Sequence, residues 1–201
     1  MTKNTNSFLQ DRVVYVHARL IDAGNIVSAD QFTQTFSDVA PPIGWHLWHM
    51  ARFADRLQSK LAVITEGAQV SEIWYRDNTC ANWNLLAEDL GVFESGMGQG
   101  HAEAQATIVQ VGQVAISAYA NSVFTACDET IKKLADTDFD KTYHGLLDYG
   151  YDAATGKVWA TDPKESTVGQ DLIFHATHGS RHMGMMEALR GLLGTAGTLS
   201  V

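Results

Sequence analysis

The sequence has few of the residues that build disulfide scaffolds, thiolate metal sites or membrane spans. Its two cysteines, Cys80 and Cys127, form no CxxC pair, which argues against a disulfide framework and a thiolate site. No stretch approaches the ~20 consecutive apolar residues that a membrane helix needs. The residues from Met1 to Ser7 are polar and lack the apolar core of a signal peptide. We therefore expect a cytoplasmic protein with free thiols and no membrane partner.

Positive charge is also scarce. The chain carries 14 Lys and Arg residues against 23 Asp and Glu residues, a formal net charge of −9. A surface this acidic repels phosphate backbones, and no basic cluster offsets it, so nucleic acid is not expected as a partner. The 201 residues, 45% of them hydrophobic, fit one globular domain spanning 1–201.

Four long stretches have the apolar spacing of amphipathic helices. They run from about Ser7 to Asp22, from Ile43 after Pro41 and Pro42, from about Ala104 to Leu134, and from a capping box at Thr167–Gln170 to the region of Gly194. The pattern predicts an all-α chain folded as a four-helix bundle.

The segments between these helices are less regular. A short helix is predicted around Ala81–Leu90, followed by a glycine-rich loop at Phe93–Gly100. The segment Phe139–Pro163 comes before the last helix and has a turn signal at Ala154–Lys157. It is predicted to be either a long ordered loop or a small hairpin.

Histidine, in contrast, is abundant. Five of the eight histidines fall in two predicted helices: His46 and His49 in one, and His175, His178 and His182 in the last. At ~100° per residue the last three fit within an arc of about 60°. The spacing of His178 and His182 lets two imidazoles reach one metal ion. His175 and His182 occupy apolar positions of the helix, where an imidazole needs a hydrogen-bond partner or a metal to offset its desolvation. Core histidines with satisfied hydrogen bonds are the alternative.

Other types of metal site fit poorly. The sequence has no HExxH motif, so the common zinc-protease helix is absent. It has no Glu-x-x-His pair, which excludes the usual di-iron carboxylate bundle. For imidazole ligands the candidates are Zn²⁺, Ni²⁺, Fe²⁺ and Cu²⁺.

Two motifs resemble those of the DinB-like (DinB/YfiT-type) family. The run from Ile43 to Arg52, IGWHLWHMAR, resembles the family's second-helix motif. The run from His178 to Gly184, HGSRHMG, followed by LRG at 189–191, resembles its fourth-helix motif. Helix order, chain length and the long segment before the last helix also match, so the resemblance covers nearly the whole chain.

The resemblance implies a four-helix bundle of DinB-like type with a three-histidine metal site. Carried over position by position, the ligands are His49, His178 and His182, with zinc as the first choice of ion and nickel or iron as alternatives. His46 and His175 fall outside this triad and are interpreted as groups that orient the ligands, polar pocket groups, an alternative ligand, or proton-transferring catalytic groups. The family's glutamine after the motif glycine is Met185 here, which removes a polar group near the site.

Four further residues are candidates for binding a substrate or cofactor. Trp45 and Trp48 flank the histidines of the second long helix and are interpreted either as core or as the wall of an apolar pocket. Arg52 and Arg181 lie close in sequence to predicted ligands and could hold an anionic group. Solvated or salt-bridged arginines are the alternative.

Two functions are compatible with this site. DinB-like proteins include metal-dependent transferases that use low-molecular-weight thiols such as bacillithiol or mycothiol, so the resemblance implies a thiol S-transferase with a small-molecule substrate. The alternative is a non-catalytic, stress-related bundle that binds a metal or a ligand. The family resemblance and the frequency of C₂ pairing among bundles also predict a homodimer.

Overall fold

The chain is mostly helical in the computed structural model, which describes residues 5–146, 149–152, 157–160 and 165–196. Seven α-helices are present in this part of the chain: α1 (Thr5–Asn25), α2 (Ala29–Thr33), α3 (Ile43–Thr65), α4 (Ile73–Arg76), α5 (Thr79–Asn82), α6 (His101–Lys132) and α7 (Val168–Leu192). Two 3₁₀ turns lie at Ala87–Leu90 and Asp136–Asp138. None of the described helices combines the length and apolar character needed to cross a bilayer.

The four long helices predicted from the sequence are confirmed as α1, α3, α6 and α7. The capping box at the start of α7 is also confirmed: the Thr167 hydroxyl accepts from the Gln170 amide at 3.2 Å, and the Gln170 side chain accepts from the Thr167 amide at 2.9 Å. The single short helix predicted around Ala81–Leu90 is wrong. Asn84 adopts a left-handed backbone (φ 56°), which ends α5 and separates it from the 3₁₀ turn.

The core lies where α3 packs against α6 and α7 and where α1 packs against α6 and α7. α1 and α7 approach closely because position 179 is glycine: a Cβ there would lie 2.5 Å from Cγ1 of Val16. α6 is interrupted at Gly112, whose φ of 80° and ψ of 164° are not helical. This packing sets one face of α3 against one face of α7, and these faces carry the histidine clusters.

The segment before α7, which was predicted to be either a long ordered loop or a small hairpin, contains strands. β1 (Thr142–His144) pairs antiparallel with β4 (Glu165–Thr167), and β2 (Tyr149–Asp152) pairs antiparallel with β3 (Lys157–Ala160). Of the two predicted arrangements, the hairpin is the one that agrees with these pairs. Most of its predicted turn lies at 153–156, outside the described residues.

Candidate metal centre

Three of the predicted histidines converge on one point between α3 and α7. The Nε2 atom of His178 lies 3.3 Å from that of His49 and 3.0 Å from that of His182. One ligand atom from each of the three residues lies within 4.8 Å of the others. The Nε2 atoms of the three imidazole rings therefore face one another. At any time, no more than one pair of these nitrogens can share a proton in a hydrogen bond.

The opposite nitrogen of two of these rings is held by a neighbour. His49 Nδ1 donates to the backbone carbonyl of Ser95 at 2.6 Å, which leaves a lone pair on His49 Nε2. His182 Nδ1 lies 2.9 Å from His46 Nδ1, so one of these nitrogens donates to the other. Contacts of this kind fix the ring orientation and tautomer of a metal-binding histidine.

Burial keeps these imidazoles neutral. It lowers the pKa of His49 to about 4, with the nearby Arg181 also lowering it and the Ser95 hydrogen bond opposing the change. Burial, followed by the proximity of His49, lowers the pKa of His46 to about 3 and that of His178 to about 2. The pKa of His182 is lowered by the same two causes. Since neutral imidazole is the form that binds metal, the rings are in the binding form at neutral pH.

The donor set fits a divalent transition-metal ion. Ligands at the usual Zn–N distance of 2.0–2.1 Å in a tetrahedral site lie about 3.3 Å from each other, close to the N···N distances in this cluster. Among the described residues, no fourth His, Cys, Asp or Glu joins the group. A tetrahedral ion held by these three nitrogens would keep one position for an exogenous ligand.

The triad lies at the wall of a cavity of about 470 Å³, which would give such a ligand room to bind. The three histidines form part of its lining, and the rest comes from the segment before α3, α3 itself, the loop before α6, the start of α6 and α7: Pro41, Trp45, Phe53, Gly96, Met97, Gly98, Gln99, His101, Ala104 and Arg181. The sequence does not reveal that Met97, Gln99 and His101 face the site, because the loop and the first residue of α6 carry no periodic pattern that indicates which side chains point there.

Trp45 forms one wall of the cavity, in agreement with the pocket interpretation. Its ring stacks on His49 at 4.6 Å between centroids, and its Nε1 donates to the Gln99 side chain at 2.9 Å. The loop reaches the indole because position 96 is glycine: its φ is +82°, and a Cβ there would lie 2.9 Å from the Trp45 ring. Phe53 packs edge-on against His178 at 4.7 Å on another side.

Trp48 does not belong to the cavity. It is fully buried and packs against Trp74 with ring centroids 6.2 Å apart. Of its two interpretations, core and pocket wall, the structure agrees with the core.

Arg52 is also buried rather than placed at the site. All five of its N–H groups have partners at 2.9–3.2 Å, which are the carboxylates of Asp55 and Glu72, the Tyr119 hydroxyl, and the backbone carbonyls of Phe93 and Glu94. No N–H group is left for a substrate anion, so the prediction of Arg52 as an anion clamp is corrected: its guanidinium instead fixes the loop that carries Ser95.

Arg181 is placed differently. It is exposed, lines the cavity and makes no hydrogen bond or ion pair within the described part of the chain. It therefore remains the candidate for binding an anionic group.

Neither histidine predicted to transfer protons lines the cavity. His46 contacts His182 from behind. His175 is fully buried, and its Nε2 lies 2.8 Å from Nε2 of His17 on α1. The prediction that either one moves a proton stays a prediction, and His101 is the additional imidazole on the cavity wall.

No protein-family model and no curated protein matches the chain. Among solved structures it is similar to the crystal structure of a conserved protein from Enterococcus faecalis, with 13% sequence identity and a TM-score of 0.65 over 96% of this chain and 100% of that one. At this identity the similarity shows a shared fold and nothing about function.

Proposed function

We propose that the chain is a DinB-like four-helix bundle, built from α1, α3, α6 and α7, that binds one divalent ion, zinc in the first place, and transfers a low-molecular-weight thiol to a small electrophile. The observation that carries the proposal is the convergence of the His49, His178 and His182 Nε2 atoms at the wall of a cavity of about 470 Å³. A site of this kind combines a metal with room for a ligand.

A cation at the triad would favour the thiolate over the thiol, as coordination deprotonates sulfur. The other cavity residues supply binding. Trp45, Phe53 and Met97 offer apolar surface to an electrophile, and Arg181 offers a cation to a carboxylate on either reactant. In the transfer a bond forms from sulfur to the electrophilic carbon as the leaving group departs with its electron pair, and the thiol proton goes to solvent or to His101.

A non-catalytic metal-binding or ligand-binding bundle is the second candidate. One observation favours it: neither His46 nor His175, the histidines predicted to move protons, is among the residues that line the cavity. This candidate predicts the same metal and a ligand that occupies the cavity without turnover.

One assay separates the two candidates. The metal-loaded protein is incubated with bacillithiol, mycothiol, glutathione or coenzyme A and a chlorodinitrobenzene-type electrophile, before and after chelation. We expect one thiol to give a rate that chelation and His178→Ala both abolish. Arg181→Gln should raise KM for an anionic thiol and leave the metal content unchanged. If no thiol gives a rate above the chelated control, the transferase proposal is wrong.

We also propose that the protein is a homodimer, on the family resemblance and the frequency of C₂ pairing alone. Light scattering at micromolar concentration should give twice the 22.0 kDa of one chain. A mass of one chain would contradict it.

A further inference from the structure

A second row of buried polar groups runs from α6 through α1 to α7, where it ends three residues before the metal ligand His178. Asp128 on α6 accepts from His17 Nδ1 on α1 at 2.7 Å, and His17 Nε2 lies 2.8 Å from His175 Nε2 on α7. His17 is 1% exposed and His175 is 0% exposed, whereas the Asp128 side chain is 18% exposed. The row thus begins at a partly solvated carboxylate and ends inside the core.

The carboxylate determines which way the protons point along this row. An ionised Asp128 can only accept, so His17 donates from Nδ1. When the His17 ring is neutral, its Nε2 atom then carries a lone pair and accepts from His175 Nε2–H. The remaining nitrogen of His175, Nδ1, is then an acceptor.

The metal ligand His178 needs an acceptor for its N–H, whereas His175 needs a donor. Its Nε2 faces the other two ligands, so with a metal bound there its one N–H is on Nδ1. Both His178 Nδ1 and His175 Nδ1 are buried, and neither has a hydrogen-bond partner among the described residues. A donor without an acceptor and an acceptor without a donor therefore lie one turn apart on α7.

In the other two ligands, the Nδ1 atom already has a hydrogen-bond partner. His49 has the Ser95 carbonyl and His182 has His46. His178 is the ligand whose second nitrogen lacks one, and a metal-binding histidine nearly always donates its other N–H to a neighbour.

We propose that Asp128, His17 and His175 are positioning residues for the metal ligand His178, and that His175 Nδ1 receives the His178 Nδ1–H through one buried water. This inference rests on the proposed metal site. The chain of hydrogen bonds fixes the tautomer of His178 and, because it ends in a carboxylate, makes this ligand a stronger electron donor to the ion. Polar atoms at both ends give a buried water the partners that it needs.

The test measures metal affinity and histidine tautomers. Asp128→Asn keeps the size of the side chain but removes its charge, and His175→Phe removes the last link while filling the space. The matched control is Asp22→Asn, which removes a carboxylate that is 54% exposed and is paired with Arg19 on the surface of α1. We expect a tenfold or greater loss of zinc affinity, by competition with a chromophoric chelator, in the first two variants and no change in the control.

A purely structural role would not alter two further readouts. In the cobalt-loaded protein, the d–d absorption should shift in Asp128→Asn. In the zinc-loaded wild type, nitrogen-detected histidine spectra should show protons on His17 Nδ1, His175 Nε2 and His178 Nδ1, the last exchanging slowly with solvent.

The outcomes separate the two proposals. Wild-type protein that binds no metal would overturn the metal site and this inference together. Metal that binds with equal affinity and an unchanged cobalt spectrum in both variants would overturn this inference alone, as would a His175 ring protonated at Nδ1.

Discussion

The buried Arg52 gives a prediction that links stability to the metal centre. Replacing it with methionine keeps a long, unbranched side chain but removes the guanidinium and its five hydrogen bonds. Asp55 and Glu72, 0% and 14% exposed as side chains, would lose their cation. Burial already raises the pKa of Glu72, and Arg52 opposes that rise. The variant therefore leaves two carboxylates without the cation that offsets their desolvation.

The expected loss is about 3–5 kcal/mol of unfolding free energy, the usual cost of removing one partner of a buried ion pair. For a chain of this length, that corresponds to a drop in Tm of roughly 6–20 °C. The metal centre should also weaken, because the carbonyls of Phe93 and Glu94 would lose the donor that fixes the loop carrying Ser95. We expect at least a ~10-fold lower zinc affinity, since Ser95 orients His49.

Urea unfolding and chelator competition measure the two effects. The matched control is Arg76→Met, which removes an exposed arginine bonded to Asp77 and should change stability by no more than about 0.5 kcal/mol. A loss below about 1 kcal/mol in Arg52→Met with unchanged zinc affinity would refute the reasoning.

Two further predictions follow from the site. As the pH falls from 6.5 to about 4, the metal-free protein should lose stability, because His46 and His49 take up protons in the unfolded chain and not in the folded one. Each histidine should lower the free energy of unfolding, measured with urea, by about 1.4 kcal/mol per pH unit. A free energy of unfolding that does not change over this pH range would contradict the prediction. Gly96→Ala should cost more than Gly67→Ala, since both glycines have a φ of +82° but only at Gly96 would the Cβ meet another residue, Trp45. Equal losses would show that the contact with the indole is unimportant.

The long helices could be predicted because each carries a repeating apolar pattern of its own. The His49, His178 and His182 cluster was predictable for a related reason: the period places histidines where apolar residues are expected, and two motifs resemble those of one family. The structure brings these three rings together.

The groups that surround the triad could not be predicted in the same way. Ser95 acts through a backbone carbonyl, which has no sequence signature. His17 is a single histidine on α1, and only the packing of α1 against α7 brings it to His175. Arg52 belongs to a motif near the ligands, yet its contacts with Glu72, with α6 and with the loop are all long-range, so its burial could not be inferred from its position in the sequence.

Metal content tests the central claim most directly. Purified protein loaded with zinc and then freed of excess ion should contain one ion per chain by elemental analysis. His178→Ala and His182→Ala should each abolish stoichiometric binding, because two imidazoles remain of the three that converge. A matched His101→Ala variant should retain the ion, since this cavity residue is not part of the cluster. Full metal content in both ligand variants would contradict the account.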